Sequence, residues 1–169
     1  MYKLVVVEDE KEVRGRLTGI INKSHTKFDL VAEYENGIDA FNGIVSDQPD
    51  LVFTDIRIPF INGIELSRKL REALPQVKIV IIMGDSDIDC AKDAANIGVQ
   101  GFISKPINQR DVDDLLKKAE AAMDAENVTV SSLTRLEAFY KSSIPIIREH
   151  NLYKLSTMSS VDPPGSGDA

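Results

Sequence analysis

The stretch Leu4-Val5-Val6-Val7-Glu8-Asp9-Glu10-Lys11-Glu12-Val13-Arg14-Gly15-Arg16-Leu17-Thr18-Gly19-Ile20-Ile21 changes period partway through. Leu4 to Val7 is an unbroken apolar run, as a strand buried on both faces requires. From Val13 onward the apolar residues Val13, Leu17, Ile20 and Ile21 fall on one helical face. A strand that feeds directly into an amphipathic helix is one β-α unit. The same change recurs down the chain. Leu30 to Tyr34, Leu51 to Thr54, Ile79 to Met83 and Gly101 to Ile103 read as further strands. Helical stripes follow them: Ile38, Phe41, Ile44 and Val45; Leu66, Leu70, Ala73 and Leu74; Ile88, Ala91, Ala94 and Ala95; Val112, Leu115, Leu116, Ala119 and Met123. Parallel strands need such crossovers, which are right-handed and cover both faces of the sheet, so the fold class is an α/β open sandwich.

The punctuation agrees. Asn36-Gly37 and Asn62-Gly63 stand before the second and third helices, and Gly98 stands where the fourth should end. Ser86 with Asp89 suggests a capping box for the fourth helix. These five units fill a first domain over residues 1–126. Residues 127–132, Asn-Val-Thr-Val-Ser-Ser, read as a linker or cap before a helical extension through 158 with an apolar stripe of Leu133, Leu136, Phe139 and Tyr140. Pro145 should break or restart that helix. Residues 159–169 hold too little apolar content to order themselves and read as a disordered tail.

With 169 residues, 43% hydrophobic and 28% charged, the chain can bury a globular core. Its single cysteine, Cys90, makes no internal disulfide, and no apolar run reaches the roughly 18 residues of a spanning helix. The start carries no signal-like segment, so a cytoplasmic setting without membrane insertion is expected. The net charge of −7 comes from residues 1–126, which hold 16 Lys and Arg against 23 Asp and Glu. Such a surface repels phosphate backbones, so direct nucleic-acid binding by this chain is not expected.

In doubly wound sheets ligands collect at the carboxyl ends of the strands. Glu8 and Asp9 follow the first strand there, and Asp55 follows the third. If those strands are neighbours, three carboxylates converge, and a hard divalent cation relieves the crowding. Mg2+ is the expected ion, with the backbone carbonyl of Arg57 as a further oxygen ligand. Lys105, before Pro106, follows the fifth strand and brings an ammonium to the same edge. A carboxylate nucleophile, a divalent ion and a lysine form a minimal set for phosphoryl transfer onto an aspartate, here Asp55.

Three segments in order, Val5-Val6-Val7-Glu8-Asp9-Glu10, Asp55-Ile56-Arg57-Ile58-Pro59 with Gly63, and Gly101-Phe102-Ile103-Ser104-Lys105-Pro106, resemble the receiver domain of two-component response regulators. The resemblance covers about residues 2 to 124. It implies a flavodoxin-like (βα)5 sheet of order 2-1-3-4-5 and a phosphoryl group accepted on Asp55 from a histidine kinase. It also implies Mg2+ held by Glu8, Asp9, Asp55 and the Arg57 carbonyl, a phosphate contact from Lys105, and a cis bond before Pro106. The output would be dimerisation or partner binding. Tyr140 to Glu149 resembles the connector that follows the receiver in regulators with an AraC-like DNA-binding domain.

The chain departs from the family pattern at Met83, where the family places Ser or Thr at the end of strand four. Methionine offers no hydroxyl. Met83 and Phe102 occupy the switch positions, and Phe102 lacks the hydroxyl of a tyrosine. Met83 motivates an alternative reading as a phosphorylation-independent interaction module. An aspartate-nucleophile phosphatase is disfavoured because Arg57 stands where a general acid would be wanted. Asp85, Asp87 and Asp89 resemble the opening of a calcium loop, but Cys90 takes the place of its glycine and Asn96 that of its glutamate.

Overall fold

A computed structural model of the chain describes residues 1–143. Five strands, β1 (Tyr2–Val7), β2 (Phe28–Tyr34), β3 (Leu51–Asp55), β4 (Lys78–Met83) and β5 (Gly101–Ser104), alternate with α1 (Lys11–Lys23), α2 (Gly37–Asp47), α3 (Gly63–Ala73), α4 (Ala91–Ile97) and α5 (Gln109–Ser143). All pairings are parallel, and the sheet order is β2-β1-β3-β4-β5. This is the flavodoxin-like order that the receiver resemblance implied. Leu4 to Val7 and Leu51 to Phe53 have no exposed surface, as central strands covered on both faces should.

Asparagine side chains start three of the helices. The Asp39 N–H donates to Asn36 at 2.8 Å, Glu65 N–H to Asn62 at 2.8 Å, and Asp111 N–H to Asn108 at 2.9 Å. Each satisfies one of the amide donors a first turn leaves without a partner. Gly98 closes α4 at φ +84, a conformation that disfavours any side chain.

The elements depart from the sequence reading in three places. Ile38 is 48% exposed, because α2 buries Gly37, Ala40 and Ile44 instead; Ile38 lies about 160° round the helix from Ala40. The Ser86 and Asp89 box does not form. A 3₁₀ turn over Asp85–Cys90 precedes α4, with Asp87 turned inward and Ile88 outward. Lastly, α5 runs through 127–132 without a break. Its β-branched and serine residues lower helix propensity only modestly, and no glycine or proline interrupts the chain there.

By internal packing the chain divides into Met1–Ala122 and Met123–Ala169. The described part of the second unit is the distal length of α5, which exposes Val128, Leu133, Leu136 and Phe139. The connector-like segment beyond Ser143 and the 159–169 tail lie outside the described residues. Among the described residues no helix is long and apolar enough to cross a membrane.

Candidate functional site at the carboxyl edge of the sheet

Register assembles the site. Val7 pairs with Thr54, so the next residues, Glu8 and Asp55, leave neighbouring strands side by side. Both are buried, Glu8 fully and Asp55 to 2% exposure, while Asp9 points to solvent. Oxygens of the three carboxylates lie within 4.8 Å of one another. Met83 pairs with Ser104, and the Lys105 N–H donates to the Met83 carbonyl at 2.8 Å, which delivers Lys105 to the same edge. Its Nζ reaches Asp55 Oδ2 at 2.8 Å, Glu10 Oε1 at 3.6 Å and Glu8 Oε1 at 3.8 Å. The Lys105–Pro106 peptide bond is cis.

The electrostatics are unbalanced in favour of a cation. Burial, with the Asp55 charge adding to it, pushes the Glu8 carboxyl up to about 8, against the hydrogen bond from Glu10 N–H and the pull of Lys105. Burial opposes the Lys105 ammonium, but the hydrogen bond and charge of Asp55, then Glu8 and Glu10, raise its pKa overall. Asp55 Oδ1 and Glu8 Oε1 are buried and accept no hydrogen bond. Two such oxygens, hard donors beside an exposed carboxylate, are what a small divalent cation requires.

The surroundings fix this geometry. Gly63 lies directly against the acceptor strand, and a Cβ there would fall 2.2 Å from the Asp55 carbonyl oxygen. Arg14, which the sequence reading did not single out, donates through Nη1 to the Glu8 carbonyl at 2.7 Å and pairs with Glu33 at 3.3 Å and Glu35 at 3.5 Å. It braces the turn that carries Glu8 and Asp9 against the end of β2. An arginine early in α1 was the only trace of this in the sequence.

The Arg57 side chain makes a second link that sequence reasoning missed. Its Nε meets Asp87 Oδ1 at 2.9 Å and its Nη2 donates to Ser86 Oγ at 3.2 Å. The other Asp87 oxygen accepts the Gly84 N–H at 3.0 Å. Ser86 is therefore engaged with Arg57. Met83 is half-buried and packs against the hydrophobic core cluster that includes Val5, Val7 and Ile81, and Phe102 is 38% exposed on β5.

Chemically, Asp55 presents one oxygen held by an ammonium and one without a hydrogen bond, buried beside two further carboxylates. That arrangement suits attack on an electrophilic phosphorus, since the positive groups stabilise charge on the transferring oxygens.

Known proteins resemble this chain in sequence and fold. Residues 4–117 match the response regulator receiver domain family. The chain is 31% identical over 119 residues to the chemotaxis protein CheY of Listeria monocytogenes, covering 70% of this chain and 98% of CheY. It is 30% identical over 128 residues to the uncharacterized transcriptional regulatory protein YesN of Bacillus subtilis, covering 76% of this chain but only 35% of YesN. The REC domain of AraT, a response regulator from Geobacillus stearothermophilus, superposes with a TM-score of 0.72 at 24% identity, covering 75% of this chain and 98% of that one.

Proposed function

The chain belongs to the response regulator receiver domain family, and from that premise we propose that it is the phosphoacceptor of a two-component signalling pair. Asp55 takes the phosphoryl group from a phosphohistidine of a histidine kinase. The P–N bond of the donor breaks as the bond from Asp55 Oδ1 to phosphorus forms, and hydrolysis later returns the carboxylate and inorganic phosphate. The role is regulatory, in keeping with the receiver family, with slow loss of the phosphoryl group from Asp55 as the only hydrolysis.

The observation that carries this reading is the state of Asp55. It is buried, it is held through one oxygen by Lys105, and its other oxygen is unpartnered. Glu8, Asp9, Asp55 and the Arg57 carbonyl would hold Mg2+, which when bound neutralises charge on the transferring oxygens. Lys105 exchanges its grip on Asp55 for a phosphoryl oxygen. The phosphoryl group, carrying about −1.5 to −2, replaces the single carboxylate charge of Asp55 and shifts a pre-existing equilibrium at the surface near Met83 and Phe102, with dimerisation or partner binding as the output.

The phosphorylation-independent alternative rests on Met83 alone, and the intact carboxylate and lysine set gives it no support. The acidic receiver makes no direct nucleic-acid contact in this reading, and the cytoplasm is its place of action.

Intact mass after incubation with Mg2+ and acetyl phosphate tests the reading. One phosphoryl group should add to the wild type and none to Asp55→Asn. Equal gain in both proteins would place the acceptor elsewhere.

A further inference from the structure

In the unit Met1–Ala122 the exposed large apolar side chains are Met1, Val31, Ile38, Phe60, Ile88 and Phe102. Three of them, Ile38, Phe60 and Ile88, follow β2, β3 and β4 on the segments that leave the carboxyl edge. Phe60 is the most unusual. It is 77% exposed, so its phenyl ring adds little to the core, and its backbone sits at φ +76, where glycine or asparagine would be less strained. Strain held by a residue that the fold does not need points to a use outside the fold.

The three side chains stand on cross-linked segments. The Gly37 N–H donates to the Pro59 carbonyl at 3.1 Å, which ties the Phe60 loop to the start of α2 beside Ile38. The Arg57–Asp87 pair ties the same loop to the turn that carries Ile88. With the order β2-β1-β3-β4, the span from β2 to β4 is three strand spacings, about 14 Å, and Asp55 lies inside it. The loop closes at its base, where the Gly63 N–H donates to the Ile56 carbonyl at 2.8 Å. Phe60, three residues from Gly63, is no more than about 11 Å from that base.

A donor histidine must insert between these loops to reach Asp55, and the face around it then rests on their rim. A stable interface buries roughly 800 Å² per partner, a disc about 16 Å in radius, so one centred on Asp55 covers Phe60 in any orientation. We propose that Ile38, Phe60 and Ile88 form the docking rim for the phosphodonor protein, with Phe60 as its anchor. The donor presents apolar side chains around its phosphohistidine. This rests on the reading of Asp55 as acceptor.

The test compares two labelling rates on the full chain, one from acetyl phosphate and one from the autophosphorylated histidine kinase that labels the wild type fastest in a panel. In Phe60→Gly the kinase rate, divided by the acetyl phosphate rate of the same variant, should fall about tenfold or more, as loss of an interface anchor does. Phe60→Leu should keep most of the ratio. The melting temperature of Phe60→Gly should match or exceed that of the wild type, which separates lost docking from lost folding. An unchanged ratio in Phe60→Gly overturns the proposal. So does a wild-type dimer that Phe60→Gly converts to monomer with kinase transfer intact, since the rim would then belong to a second copy. If acetyl phosphate fails to label the wild type, the acceptor reading itself falls.

Discussion

Two regions at the same edge of the sheet treat their buried carboxylates in opposite ways. Where β1 and β3 end, Glu8 and Asp55 each keep a buried oxygen without a hydrogen bond. Where β4 ends, Asp87 is as deeply buried, yet one of its oxygens takes Arg57 and the other the Gly84 N–H. An unmet buried acceptor costs stability unless a ligand completes it, whereas a satisfied one fastens the fold. The first region is thus built to receive something, and the second is built to hold still. Substitutions should separate the two, with neutral replacements impairing chemistry in the first and folding in the second.

The largest effect is expected at Lys105. Lys105→Ala removes the ammonium from Asp55 Oδ2, and the labelling rate with acetyl phosphate should fall about 100-fold, on the scale of losing one preorganised charge-stabilising group. A rate within a factor of two of the wild type would remove Lys105 from the chemistry. Next, Asp87→Ala leaves the Gly84 N–H unsatisfied and releases Arg57. Chemical denaturation should show a loss of about 1–3 kcal/mol, mostly from the amide, because the Arg57 side chain is 66% exposed and its ion pair is weakened by solvent. Unchanged stability would end the contrast between the two regions.

A pH series sharpens the contrast from the other side. The folded-state pKa of Glu8, raised to about 8 from 4.5, means that the folded protein binds this proton more tightly than the unfolded chain. The stabilising contribution of the protonated form is full below about pH 4.5 and is lost as pH rises toward 8. In chelator, the Glu8 contribution should therefore lower the melting temperature across that window, Glu8→Gln should flatten the fall, and Mg2+ should restore stability at pH 8. A wild-type profile in chelator that matches Glu8→Gln would refute this. The smallest effect is expected at Met83→Thr. It supplies a hydroxyl at the end of β4 while leaving the Lys105 N–H bond to the residue 83 carbonyl in place. A several-fold change in phosphoryl lifetime at similar stability is the expected result, measured by the decay of the labelled protein. An unaltered lifetime would show that the side chain at 83 does not reach the phosphoryl group.

The alternation of periods was legible because it is local. Leu4 to Val7 and Leu51 to Phe53 are continuous apolar runs, and each helix repeats its own stripe. The carboxylates at the strand ends and Lys105 before Pro106 were legible for the same reason, since β-α connections bring every strand end to one edge. The linker expected at 127–132 failed because weak helix formers without glycine or proline do not stop a helix. The inward turn of Asp87 escaped reading because it answers to Arg57, thirty residues away in sequence, and not to its own helix.

By itself, then, the sequence determined a five-unit α/β sheet with acids and a lysine at its carboxyl edge, since strand and helix periods and strand-end positions depend on neighbours along the chain. Tertiary structure alone decided which oxygens stay without a hydrogen bond, that Arg14 and Arg57 brace the segments after β1, β3 and β4, and that Ile38, Phe60 and Ile88 face outward. Those outcomes depend on packing between segments far apart in sequence, where one contact satisfies or excludes another.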